Sequence, residues 1–184
     1  YEGETLPQIA RERTLAFGGI NNSAAKTLVK SVWQLYGREV ADELLGLSQV
    51  HDMPVGAFQA VRAGTADVAC VPSLYAMRAA GDLVERPAEE GTLLLPAYCC
   101  VRKTIDEQTA RTVVDALVDR ELLDFYDVGG DLVTCIDREG APGSRHEHDE
   151  KVCAVSQEFL DQLDPQDFFD LYCEHLPTAV QIVR

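Results

Sequence analysis

The stretch Val55–Ala76, VGAFQAVRAGTADVACVPSLYA, decides how this chain is read. Phe58, Val61 and Arg62 fall on one helical face, Gly64 suits the left-handed conformation that ends a helix, and Val68 to Val71 is an apolar run between Asp67 and Pro72. The segment therefore predicts a short helix, a tight glycine turn and a fully buried strand. Such a strand points Pro72, Ser73 and Tyr75 at whatever lies beyond its carboxyl end, the edge at which open α/β sheets bind ligands.

Outward from that segment, hydrophobic spacing predicts strand 13–18, helix 22–36, strand 43–50, helix 54–63 and strand 67–72. This βαβαβ alternation predicts a mostly parallel sheet. Asp52 stands where it would cap the helix at 54–63, with Pro54 in the first turn. A short helix at 74–81 and a polar loop at 82–90 follow.

The second half is expected to open with a long strand at 91–102 and a helix at 105–119, started by Thr104 and Glu107 at capping-box spacing. Val113, Val114, Leu117 and Val118 give that helix an apolar face. Strand-like pieces at 122–127 and 131–137 meet at Gly129 and Gly130 in a hairpin pattern, and the polar stretch 138–150 reads as a surface excursion or a lid. Beyond it come strand 151–155, a helix from Ser156 to Leu163, a helix opened by Asp164 and Pro165, and strand 178–183. Strands in both halves favour an α/β fold of two lobes with mainly parallel sheets and an interlobe cleft.

At 184 residues the chain can bury a substantial core as one domain, and its formal charge of −15 argues against nucleic acid, which requires clustered Lys and Arg. An anionic ligand still fits if a few arginines converge. No apolar stretch has membrane-spanning length and no signal peptide is evident, so a cytoplasmic protein without membrane association is expected. The six cysteines then read as reduced thiols: Cys70, Cys99, Cys100, Cys135 and Cys153 in strands, Cys173 on a helix. No Cys-x-x-Cys pair marks a structural zinc site.

Three stretches resemble the catalytic domain of prephenate dehydratase, a two-lobed relative of the periplasmic solute-binding proteins. Leu15–Ala25 (LAFGGINNSAA) stands in the place of that family's strand and Gly-rich loop. Val61–Pro72 matches its "V-x-x-G-x-A-D", buried strand and "V-P", and Gly91–Val101 (GTLLLPAYCCV) stands in the place of its long crossing strand. Together they span roughly residues 13–103 in the family's order. The resemblance implies a single catalytic domain over residues 1–184, with lobe one near 13–95 plus the C-terminal segment and lobe two near 96–160. Two departures are plain. Leu74, Tyr75 and Ala76 replace the family's Glu-Asn-Ser, and its Thr-Arg-Phe motif, which carries the proton donor to the leaving hydroxyl, is absent from the sequence.

The turn Gly18, Gly19, Asn21, Asn22, Ser23 lies between a strand and a helix, so its N–H groups and the helix dipole suit a carboxylate; the plainer reading is a simple helix cap. Ser73 and Tyr75 would face the same crevice, or form an ordinary turn. Arg78, Arg102 and Lys103 are the basic candidates for pairing with carboxylates, against the alternative of solvated surface charges. Cys99 and Cys100 fall near the family's substrate-side strand. Arg145, His146, Glu147 and His148 read as an exposed polar loop rather than a metal site, and His51 and His175 have no evident partner.

The resemblance, with the proton donor missing, implies a cofactor-independent carboxy-lyase similar to the prephenate decarboxylases of antibiotic biosynthesis. Those enzymes leave the ring non-aromatic. The expected partner is prephenate, a small anionic substrate, and the reading admits a homodimer. The alternatives are a prephenate dehydratase-like enzyme, or a solute-binding or sensory module that closes on a small carboxylate without turnover.

Overall fold

The computed structural model describes residues 3–20, 23–76, 78–95, 99–129 and 151–175. The chain divides into two compact units, one of Tyr1–Leu95 with Lys151–Arg184 and the other of Pro96–Glu150. The first is mixed α/β and holds both parallel sheets.

Three strands, β1 (Leu15–Gly18), β2 (Gln49–His51) and β3 (Val68–Cys70), form a parallel sheet in the order β2-β1-β3. The side chains of β1 alternate between two layers, as a strand's period of two requires. Leu15 and Phe17 enter the main core with Leu28, Val29 and Val32 of α2 (Ser23–Tyr36), Ala41, Leu44 and Leu45 of α3 (Arg38–Leu47), and Phe168, Leu171 and Tyr172 of α9 (Pro165–Glu174). Ala16 faces the other way, onto Ala57 and Ala60 of α4 (Pro54–Arg62). Helices therefore cover both faces of β1. Ile9 and Ala10 of α1 (Leu6–Glu12) complete the main core, in which each fully buried Leu, Ile or Phe contributes about 1.5–3 kcal/mol.

The helix, turn and strand expected at 54–72 form, and a Schellman motif joins α4 to β3. Gly64 has φ +71, the Thr65 N–H donates to the Ala60 carbonyl at 2.9 Å, and the Gly64 N–H to that of Val61 at 3.0 Å. The strand itself is half-buried rather than fully buried, because it lies at the sheet edge. The N-cap of α4 is Met53, not Asp52, and no side chain caps it.

Residues 43–50, expected as a strand, instead complete α3 and begin β2. Val40, Ala41, Leu44 and Leu45 recur at helical spacing, and this period outweighs the apolar run that resembles a strand. After β3 comes a short α5 (Ser73–Ala76). Of the long strand expected at 91–102, the described residues form only β4 (Thr92–Leu93), which pairs in parallel with β5 (Val152–Cys153); residues 96–98 lie outside the described residues. The Thr92 N–H donates to the Lys151 carbonyl and that of Leu94 to the Cys153 carbonyl, both at 2.8 Å. Leu94, Leu95 and residues 99–102 lie outside any strand.

In the second unit, α6 (Glu107–Leu117) is capped by Asp106, whose carboxylate accepts from the Thr109 N–H at 2.9 Å; the Thr104–Glu107 capping box does not form. No residue of α6 is buried, and Val113, Leu117 and Val118 remain exposed. The strand expected at 122–127 belongs to α7 (Arg120–Gly129), so Gly129 closes a helix instead of turning a hairpin. Ser156 caps α8 (Gln157–Gln162) and Asp164 caps α9, as the sequence predicts. The expectations for Gly130, 131–137, Cys135, 138–150 with Arg145–His148, and 178–183 fall outside the described residues.

Candidate functional site

The strand order places two turns side by side. Phe17 of β1 is paired with Cys70 of β3, so the chain leaves both strands at one carboxyl edge, through Gly19–Ile20 on one side and Pro72–Ser73 on the other. Connections leave β1 on the face that carries α2 and α3, while α4 covers the opposite face; this is the topology that opens a crevice in doubly wound sheets.

Gly18 ends β1 directly beneath the start of α4. A Cβ there would overlap the Met53 carbonyl and stand 2.7 Å from the Pro54 nitrogen, so only glycine lets the helix start come this close. Gly19 is buried with φ +98, and its N–H donates to the His51 carbonyl at 3.1 Å. The next carbonyl, of Ile20, accepts from the Tyr172 hydroxyl at 3.2 Å, and burial holds that phenol well above its usual range. The turn after β1 is thus tied to β2 and to α9. Asn21 and Asn22 lie outside the described residues, and Ser23 is the exposed first residue of α2.

On the β3 side, Ser73 and Tyr75 are half-buried, and the Tyr75 N–H donates to the Pro72 carbonyl at 2.8 Å. The Tyr75 ring lies 6.3 Å from the ring of Phe58, and the Arg78 guanidinium sits 5.7 Å above it. Arg78 is exposed, so its charge is available at this edge while its position is set by a cation–π contact. Gly19, Ser23, Ser73, Tyr75 and Arg78 all belong to the first unit. Cys99 and Arg102 belong to the second, and both are exposed. The expectation that Cys99 and Cys100 lie in a buried strand is therefore corrected: no strand forms there to cover them.

Burial, with the charge of Glu90 adding to it, pushes the Cys70 thiol up to about 11, which makes it a poor nucleophile at neutral pH. A depression of about 490 Å³ lies at the opposite end of α4, lined by Arg62, Gly64, Asp82 and Leu83 among others. Among the described residues no three His, Cys, Asp or Glu side chains gather where they could hold a metal ion. Compared with known proteins, the chain matches no family model, and no curated protein or solved structure shows significant similarity to it.

Two residues become prominent only in three dimensions. Glu90 is buried, accepts from the Leu6 N–H at 2.9 Å and from the Tyr36 hydroxyl at 2.9 Å, and so caps α1 from a distant part of the chain. His51 closes β2 beside Gly18. No local motif marks Glu90, since a cap supplied across 84 residues leaves no spacing to read.

Proposed function

We propose that the first unit binds a small carboxylic acid at the carboxyl edge of its sheet and that the chain is a prephenate decarboxylase-like carboxy-lyase on a two-lobed, prephenate dehydratase-like scaffold. The observation that carries this reading is the parallel pairing of Phe17 with Cys70, by which β1 and β3 end side by side at one edge of the sheet. The start of α2 and the Arg78 guanidinium supply backbone donors and positive charge suited to carboxylates, beside the close turn that Gly19 makes at φ +98.

In the proposed reaction the bond between the ring and its carboxylate breaks and carbon dioxide leaves. The electron pair enters the diene, a ring carbon takes up a proton from water, and the ring hydroxyl stays in place. Aromatisation would require that hydroxyl to depart with a proton from a placed acid, and the Thr-Arg-Phe motif that supplies it in prephenate dehydratases is absent from this sequence. Desolvation of the ring carboxylate and fixed dipoles at the pyruvyl end would favour the charge-dispersed transition state.

The test is incubation of the purified protein with prephenate, with the diene followed by absorbance and the product by NMR. A non-aromatic hydroxylated product supports the proposal, and phenylpyruvate as the main product overturns it. Thermal stabilisation by prephenate without turnover would assign the chain to the solute-binding class instead.

A further inference from the structure

His51 and His175 are both partly buried, yet their ring nitrogens have opposite surroundings. Nε2 of His175 lies 2.6 Å from Oδ1 of Asp42, whereas Nε2 of His51 is buried and has no hydrogen-bond partner among the described residues. Buried polar atoms are satisfied in the great majority of cases, and the exceptions concentrate where a protein meets something other than itself.

The position of His51 supports that interpretation. It pairs with Gly18 at the carboxyl end of β2, and its carbonyl holds the N–H of Gly19, so its backbone is tied to the turn that opens the proposed site. Val50, its neighbour, packs against the main core. The imidazole of His51 lies against the first turn of α4, where a Cβ on Gly56 would stand 3.0 Å from Nδ1. The small residue at position 56 leaves room for the ring, and an apolar side chain would fill that space without leaving a nitrogen unpaired.

We propose that His51 is a ligand-contacting residue whose Nε2–H donates a hydrogen bond to a carboxylate of the small anionic acid bound at the carboxyl edge of the β2-β1-β3 sheet. This rests on the reading given above. It adds a side-chain donor from β2 to the start of α2 and the guanidinium after β3.

The test uses the whole chain, prephenate as the probe, and three measurements: turnover or binding, thermal unfolding, and the ¹⁵N shift of the His51 ring. His51→Phe is expected to weaken prephenate binding at least about tenfold, with an unchanged or higher Tm, because it removes a nitrogen that has no hydrogen-bond partner among the described residues. His51→Gln, which keeps an N–H donor, should retain most of the affinity. In the unaltered chain Nε2 of His51 should shift on addition of prephenate. If the protein binds or converts prephenate while that resonance stays fixed and His51→Phe binds equally well, the role of His51 is overturned and the reading of the site stands. If the unaltered protein neither binds nor converts prephenate, the reading of the site fails and this inference with it.

Discussion

Gly18 and Met53 are in backbone contact: the place where a Cβ would stand on Gly18 is already taken by the carbonyl of Met53. Two parts of the chain 35 positions apart in sequence thus meet with no side chain between them, and the end of β1 is held against the start of α4.

Gly18→Ala is accordingly expected to destabilise the protein by about 1–3 kcal/mol, the usual cost of overpacking a site that cannot relax. Gly18 lies in a strand and is not among the glycines with positive φ, so backbone entropy alone would make alanine stabilising by about 0.4–1 kcal/mol. The sign of the change therefore separates the two effects. Urea unfolding of the variant measures it, and a gain in stability would show that Met53 can withdraw.

Glu90 supports a second expectation. Its replacement by alanine leaves the Leu6 N–H without its partner and should cost about 1–3 kcal/mol, while Tyr36→Phe should cost less because it removes one of the hydrogen bonds to the Glu90 carboxylate and leaves the bond to Leu6 in place. Equilibrium unfolding of both variants tests the order. Equal losses would mean that the network is not organised around the carboxylate.

The thiols divide by location. Cys99 and Cys100 are exposed, so iodoacetamide should modify them well before Cys70, whose thiol is pushed up to about 11 from 9.0 by burial and by the charge of Glu90. The stability linked to Cys70 is complete below the unfolded pKa of 9.0 and declines as pH rises toward 11, because the unfolded chain releases its proton first. Tyr36, pushed up to about 12 from 10.0 by burial and by its bond to Glu90, extends that decline in the same direction. Denaturation curves across the alkaline range should therefore slope downward, and Cys70→Ala should flatten the earlier part of the slope.

The pair Asp42 and His175 joins α3 to the end of α9. With the carboxylate side chain 44% exposed, a double-mutant cycle of Asp42→Ala and His175→Ala should return a coupling of about 0.2–1 kcal/mol, reduced by added salt. A coupling unaffected by salt would mark a hydrogen bond between the imidazole and the carboxylate in place of an ion pair.

Local signals in the sequence accounted for the elements that carry their own punctuation. Gly64 after α4, Ser156 before α8 and Asp164 with Pro165 before α9 each act on backbone groups within a few residues, so spacing reveals them. Residues 43–50 and 122–127 misled because a short apolar run fits a strand or one face of a helix equally well, and only packing of Leu44 and Leu45 against the sheet decides. In GTLLLPAYCCV the apolar run suggested a long strand, yet Pro96 within it already argued against a ladder of that length. At the candidate site, the two turns could be read from the pattern, but their adjacency depends on strand order. His51 and Glu90 acquire their meaning from partners, or the lack of one, that no spacing encodes.

The contribution of α9 to the main core constrains how the molecule is made. Phe168, Leu171 and Tyr172 seal a layer whose other walls come from α1, β1, α2 and α3, more than a hundred residues earlier in the chain. During synthesis those walls leave the ribosome long before their lid, and the greasy sides of α2 and α3 stay uncovered for the whole interval. A nascent chain stalled ahead of position 165 would thus be a natural client for chaperones, however sound its early sheet.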